Sequence, residues 1–414
     1  MKVKAKEFYS TLFIIIILLQ LYLPSFKANL LFQIFILGIF FLMEKVIINK
    51  NYLKTILPIL FVFLIGFMGF FVNKFSVFNV VKDIFHFLKP ITGLLIGYYF
   101  FRKIDDFKFF IKTIVILGLI SSLIHFGILF FISGFSSVNE IREFGRDNFL
   151  ELFSLFFLIF YKKFRKERLF KSQFKHYVFV VLLLISNVLY FSRTMIVSAI
   201  ILLITIYGYT IITKKGIKIM GIVLLFVALF YGYLFSIKIS RNQPGLESFL
   251  YKIKNAPSEI FKTKIDRENH KDLWDHWRGY EAKRAFALMQ EDPKSFIIGT
   301  GYGSLVNLKF FAPLTENNKD KGIKYISELH NGYVYILYKI GIFGLFLYLC
   351  FLVNLYKKIY FKRNFQTYFI SAIGLVFMFT TLTITGVYNS RDIIVFILGA
   401  LLFFDKKTNK VVPI

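Results

Sequence analysis

Long apolar runs separated by short polar turns fill this chain as far as Ile237. They resume at Asn331 and continue almost to the end, and one polar stretch, Lys238 to about His330, divides them. About 20 apolar residues in helical form match the hydrocarbon thickness of a bilayer. Runs of this kind lie near 8–24, 29–48, 55–72, 82–101, 108–132, 148–161, 176–191, 194–213, 219–237, 331–354, 366–385 and 391–404. They are continuous rather than alternating, which excludes a membrane β-barrel. The pattern predicts an all-α, polytopic membrane bundle of about 12 transmembrane helices with one large, partly helical loop. The organisation reads as an N-terminal bundle of about nine spans over 1–237, a loop domain over 238–330, and about three more spans over 331–414.

Composition agrees with this reading. The chain is 57% hydrophobic and 20% aromatic, with a mean hydropathy of +0.64, more apolar surface than a soluble domain carries. The net charge of +28 invites a nucleic-acid partner. Its distribution argues otherwise, because the cations cluster in alternate loops: Lys2/Lys4/Lys6, Lys45/Lys50/Lys54, Arg102/Lys103/Lys108, Lys162 to Lys175, Lys214/Lys215/Lys218, Lys357/Lys358/Lys362/Arg363 and Lys406/Lys407/Lys410. That is the positive-inside bias of a membrane protein. It puts both termini in the cytoplasm and turns the polar insert, which follows the ninth span, outward. The basic flank and apolar run at Leu12–Leu23 resemble a signal peptide. We read them as a retained first span, since the loop charges then alternate along the whole chain. The lone Cys350 sits in an apolar run and excludes an intramolecular disulfide or a cysteine metal site.

Four outward places hold polar groups: Arg142 to Asn148, Ser192-Arg193-Thr194, the insert, and Tyr388 to Asp392 with Arg391. Within the insert, the periodicity predicts a helix from about Lys271 to Gln290, with Asn269 as its cap and Asp292-Pro293 as its stop. Trp274, Arg278, Glu281 and Ala285 share one stripe of it, so Arg278 and Glu281 stand near enough to pair. Leu273, Trp277, Tyr280 and Leu288 make an apolar stripe beside it. A glycine-rich turn, Ile298 to Ser304, follows, and then a polar loop runs to Glu328-Leu329-His330-Asn331. Gly341 and Gly344 in the next span invite close approach of a neighbouring helix.

Chemistry concentrates at a few of these positions. An arginine between two apolar runs, as Arg193 is, either snorkels to the interface or holds an anion. Its planar fork matches phosphate oxygens. His330 is a surface histidine or a general base, since a histidine's ordinary pKa suits proton removal near neutrality. Glu328 is a candidate carboxylate to orient it. Gly299-x-Gly301-x-Gly303 lacks the lysine of a phosphate loop and reads as a tight turn, or as a set of backbone amides for a phosphate. Lys89 and Lys339 are intramembrane cations that must face protein or water. Lys89 either pairs structurally or adds charge to an anion site.

Taken in order, these motifs resemble the bacterial O-antigen polymerase/O-antigen ligase superfamily of polytopic membrane glycosyltransferases. The resemblance covers about 175–355. It rests on Ser192-Arg193-Thr194 opening a span, on Trp277-Arg278-Gly279-Tyr280, on Asp292-Pro293 followed by Ile298-Gly299-Thr300-Gly301-Tyr302-Gly303-Ser304, and on His330-Asn331 leading into a span with Gly341 and Gly344. It implies an inner-membrane enzyme with a periplasmic site. The donor is a glycan on undecaprenyl diphosphate, and the acceptor is another lipid-linked glycan or a lipid A-core; a chain-length regulator is a further partner. The resemblance carries catalytic roles over to Arg193 and Arg278 as diphosphate clamps and to His330 as the base for the acceptor hydroxyl or as a group orienting it. Ser192, Thr194, Trp277, Gly301, Gly303 and Asn331 lie in the same motifs as substrate-binding candidates. Arg142, Arg146, Arg391 and Lys89 add cations on the same side. The resemblance implies no nucleotide, no metal and no other cofactor. The motifs do not read the acceptor. Polymerisation of repeat units is the preferred activity, ligation to lipid A-core is the alternative, and transport of a lipid-linked or anionic solute is the reading from another class.

Overall fold

The computed structural model describes residues 5–44, 46–69, 74–133, 141, 147–240, 245–266, 269–312 and 322–407. A helix stands at each of the twelve apolar segments: α1 (Ala5–Tyr22), α2 (Phe26–Met43), α3 (Lys50–Ile65), α4 (Val77–Ile104), α5 (Phe107–Ile128), α6 (Phe149–Arg165), α7 (Gln173–Leu189), α8 (Arg193–Ile206) and α9 (Lys214–Ser236), then, beyond the insert, α14 (Gly332–Tyr356), α16 (Phe365–Thr383) and α17 (Ile394–Lys407), with the single turn α15 (Lys358–Phe361) between α14 and α16. By length and composition, six stretches among the described residues are able to cross a membrane: 26–43, 77–104, 107–132, 214–236, 332–361 and 365–383. Two further apolar helices, Gln173–Leu189 and Arg193–Ile206, are shorter. Starts are set by side chains that accept from the first-turn amides, among them Ser25, Asp106, Asn148, Ser192 and Asn331.

The bundle is organised around α4, which is buried along most of its length and packs against α17, α1 and α2. α4 and α17 touch backbone to backbone. A Cβ on Gly97 would lie 2.1 Å from the Phe396 carbonyl oxygen, and one on Gly399 would lie 2.3 Å from that of Leu94. Without a hydrophobic force between helices in lipid, such close crossings supply much of the attraction. α9, by contrast, buries only Gly216 and Leu234 among its residues.

The insert folds into α10 (Leu246–Phe261), α11 (His270–Asp275), α12 (Trp277–Glu291), the single turn α13 (Ser295–Ile298), and strands β1 (Val306–Ala312) and β2 (Ile323–Ile326). Two expectations change here. The all-α class is incomplete, because β1 and β2 pair antiparallel, with Val306 opposite Ile326 and a bulge before Ala312. Leu308 and Ala312 of β1 close on Leu273, Trp277 and Tyr280 in a small core under the hairpin. The inward-outward alternation spans too few residues to stand out in a polar loop. The helix expected over 271–290 is interrupted at His276, whose backbone leaves the helical region (φ −125°, ψ 15°). Asn269 does accept from the Asp272 amide, at 3.3 Å.

α14 is bent at Gly341, which sits at φ 74°. A bend of this kind frees carbonyls in the preceding turn, and they need donors inside the membrane. The glycine-rich turn supplies them: Thr300 N donates to Tyr338 O at 2.8 Å and Gly301 N to Lys339 O at 2.9 Å. The neighbours that Gly341 admits are the short α13 and the start of this turn rather than a second long helix, since a Cβ there would lie 2.2 Å from the Ile297 carbonyl oxygen and 2.6 Å from Gly299 N.

Candidate functional site

The bonding of three elements brings Arg193, Arg278 and His330 together. Arg193 is the first residue of α8, and Ser192 caps that helix by accepting from Met195 N at 3.1 Å. The connection before it is held by a buried polar cluster around Glu151. That carboxylate accepts from Tyr190 OH at 2.8 Å and Asn148 Nδ2 at 3.1 Å, and the Tyr190 ring stacks on His125 at 3.9 Å. The Arg193 guanidinium reaches α10 of the insert and grips Glu259 with both terminal nitrogens, Nη1 to Oε1 at 2.9 Å and Nη2 to Oε2 at 3.1 Å. It also donates to the Lys252 carbonyl.

Arg278, on α12, donates to the same carboxylate, Nη1 to Glu259 Oε2 at 2.5 Å. Two guanidiniums therefore share one anion. Burial lowers the Arg278 pKa from its ordinary value against the opposing pull of Glu259, and the charge of Arg193 adds to the lowering. The guanidinium stays charged all the same. The pairing of Arg278 with Glu281 that helical spacing allowed is not the one made. Glu281, 2% exposed, turns to His330 instead. Its oxygens lie 3.2 and 3.0 Å from His330 Nδ1, and Oε2 also accepts from the His330 amide at 3.0 Å. The His330 side chain is 55% exposed, with Nδ1 held on the carboxylate and Nε2 as its other ring nitrogen. Desolvation opposes a charge on this ring, but the hydrogen bond and charge of Glu281 outweigh it and raise the pKa. Arg278 and Glu328 act on the same ring with opposite signs.

Glu328 is thus not the carboxylate that orients His330. It pairs with α4, where Lys82 Nζ and His86 Nε2 both lie 3.0 Å from its Oε1. Burial works against the Glu328 charge, yet His86 and Lys82 prevail and hold its carboxyl at about 2. Glu281 was the carboxylate to find. Its spacing from Arg278 pointed to the wrong partner, because His330 approaches it from 49 residues away.

The other candidates divide. Gly301 and Gly303 do not offer free amides, since Gly301 N is bound to Lys339 O and Gly303 N to Asp83 Oδ2 at 2.7 Å. Their positive φ angles, 85° and 92°, let the turn wedge between α3, α4 and α14. Lys89 is fully buried and donates to the Asn389 and Asp392 carbonyls at 2.6 and 2.7 Å. Its charge thus holds the 389–392 turn inside the bundle and is not presented to an outside anion. Trp277 is 4% exposed within the insert core and stands behind the arginines, away from solvent. Asn331 is the cap of α14, accepting from the Tyr333 and Val334 amides. Thr194 is half-buried in the first turn of α8. Arg391 is half-buried at the turn before α17, where its amide donates to Asn389 Oδ1. Arg142 and Arg146 lie outside the described residues.

Two residues of the site region gave no signal in the sequence. Glu259 is one acid among several in a polar helix. Asp83 lies buried against Lys339 at 2.6 Å and ties α4 to α14. No spacing rule links positions so far apart in the chain.

Residues 178–349 match the family model described as O-antigen ligase. A comparison with curated proteins returns no match. The matched stretch contains Arg193, Glu259, Arg278, Glu281, Glu328 and His330. That stretch is similar to the O-antigen ligase family, and the chain carries six stretches able to cross a membrane among its described residues.

Proposed function

We propose that this member of the O-antigen polymerase/ligase superfamily transfers a glycan from undecaprenyl diphosphate to an acceptor hydroxyl, at the outer face of the inner membrane. The observation that carries the reading is the pair of guanidiniums gathered on one carboxylate, with the His330–Glu281 pair beside them. A carboxylate gripped by both nitrogens of an arginine has the geometry of a phosphate in the same fork. Glu259 marks the place where a diphosphate oxygen would sit.

In the reaction, the acceptor hydroxyl attacks the anomeric carbon of the donor sugar. Its proton passes to His330 Nε2 as the new C–O bond forms. The bond from the anomeric carbon to the phosphate oxygen breaks, and its electron pair leaves on the lipid diphosphate. Arg193 and Arg278 take up that charge, in a site where preorganised cations stabilise the transition state more than water would. Glu281 keeps the proton on Nδ1 and stabilises the imidazolium that forms. A groove of about 580 Å³ opens next to this place, with walls that include Ile260, Phe261, Ala282, Phe286, Val334 and Leu382, an apolar path for the polyprenyl chain.

Polymerisation of lipid-linked repeat units is the reading we favour. Ligation to lipid A-core is the second, favoured by the description of the matched family. Surface glycans of a deletion strain complemented with wild type, His330→Ala, Arg193→Ala or Arg278→Ala, at matched membrane levels, test the assignment. A ladder restored by wild type, with a single repeat unit left on the core by the variants, supports polymerisation. Long lipid-linked glycan with none on the core identifies the ligase. Normal glycans in the deletion strain, or full activity in all three variants, would refute the assignment and favour transport.

A further inference from the structure

A pocket of about 350 Å³ lies beside Glu328, with Phe26, Lys27, Lys82, His86, Glu328 and Ser390 among its walls. That volume falls within the range of small-ligand sites. Apart from Glu328, these residues lie outside the matched stretch 178–349. We propose that this pocket binds the terminal sugar of the acceptor and sets acceptor specificity. The proposal rests on the transferase reading above and goes beyond it by naming the acceptor subsite.

Three observations support it. The first is position. Leu329 is buried between half-buried Glu328 and exposed His330, and the Glu328 charge acts on the His330 ring, so the two side chains stand close together. A ring held at Glu328 thus has its hydroxyls next to the base. The second is an available acceptor atom. Lys82 and His86 both contact Glu328 Oε1, and Lys82 Nζ also donates to Ser327 Oγ at 2.8 Å. Among the described residues no hydrogen bond to Oε2 is seen, so it can accept from a sugar hydroxyl, and the carboxylate is fixed in place by Lys82 and His86. The third is chemical balance. The His86 ring lies 4.5 Å from that of Phe26, tilted by 30°, and is buried beneath it. Phe26 therefore gives an aromatic face for sugar C–H groups. A carboxylate, ammonium groups and Ser390 surround that face. A hydroxyl both donates and accepts, so a wall with both kinds of partner suits a sugar better than a simple anion.

The test uses the purified full chain in lipid nanodiscs, with a synthetic glycan on undecaprenyl diphosphate as donor. Two acceptors are compared, a repeat unit on undecaprenyl diphosphate and a lipid A-core. Phe26→Ala, Lys27→Ala and Glu328→Gln are assayed against wild type, and the exposed Lys27 makes that variant the least disruptive of folding. We expect the KM for the acceptor to rise about tenfold or more on loss of a hydrogen bond to the charged carboxylate. In Phe26→Ala and Lys27→Ala, donor KM and acceptor-independent donor hydrolysis should stay within about twofold of wild type, a split that general misfolding would not produce. The effect should fall on whichever acceptor wild type uses, which distinguishes the two sources. Acceptor KM unchanged in all three variants, or donor KM rising in parallel in Phe26→Ala and Lys27→Ala, overturns the proposal while leaving the transferase reading intact. Wild type that turns over neither acceptor and hydrolyses no donor overturns the transferase reading itself.

Discussion

Glu259→Gln should make the site bind diphosphate more tightly. In the free protein, both arginines are occupied by Glu259 through contacts of 2.9, 3.1 and 2.5 Å. An incoming diphosphate has to displace that carboxylate, and its apparent affinity is reduced by the strength of the internal contacts. A hydrogen bond to a charged group contributes about 1.5–3 kcal/mol net. A pair of unit charges about 4 Å apart near a protein surface interacts by roughly 4 kcal/mol, which sets the ceiling. Glutamine keeps the shape and one acceptor oxygen but removes the charge. Freeing about 1.5–3 kcal/mol corresponds to roughly 10- to 100-fold tighter binding. The assay is displacement of a fluorescent undecaprenyl diphosphate by inorganic pyrophosphate on the full chain in nanodiscs at fixed low salt. Arg193→Ala is the control, and it should lose affinity. In turnover, Glu259→Gln should lower both donor KM and kcat, because the leaving lipid diphosphate is then held longer. Equal or weaker pyrophosphate binding by Glu259→Gln would refute the reasoning, and would mean that Glu259 organises the arginines without competing for their place.

Other consequences follow from the same geometry. The neutral ring of His330 is the active base, so activity should fall as pH drops through a pKa that Glu281 raises above the ordinary histidine value. Glu281→Gln removes the largest raising interactions and leaves desolvation with the opposed charges of Arg278 and Glu328, so the acid limb of the kcat/KM profile should move to lower pH; a limb that stays in place would remove His330 from the role. His330→Ala should lower kcat by about 100-fold or more, the usual scale of lost general-base catalysis, with donor binding preserved when measured by displacement. Lys339→Met leaves the buried Asp83 without its partner, and breaking such a pair costs about 3–5 kcal/mol. Thermal unfolding in detergent should show a large loss that a second change, Asp83→Leu, recovers in part. Gly303→Ala puts a Cβ 2.7 Å from Phe75 and Val80 at a φ of +92°. It should loosen the seat of the glycine-rich turn and lower thermal stability, whereas a variant as stable as wild type would contradict that packing.

Helix positions were legible because the requirement is local. A backbone in lipid must satisfy its own hydrogen bonds, so a long apolar run with a Ser, Thr, Asn or Asp at its start specifies a helix without reference to the rest of the chain. The motifs around Arg193, Arg278 and His330, and the likeness to a family, were readable for the same reason, since each lies within a few consecutive residues. Partnerships were not. Helical spacing put Glu281 beside Arg278 and proximity in sequence put Glu328 beside His330, yet Glu281 holds His330, Glu259 joins the arginines, and Glu328 belongs to His86 and Lys82. The glycine-rich turn read as a tight turn or as a set of amides for a phosphate, and only the bend at Gly341 explains why carbonyls of α14 consume the amides of Thr300 and Gly301. A charged side chain near a membrane takes whichever opposite charge the packed helices bring within about 4 Å. Which charge that is depends on how the helices cross and how the insert folds back over them, and the tertiary structure alone decided it.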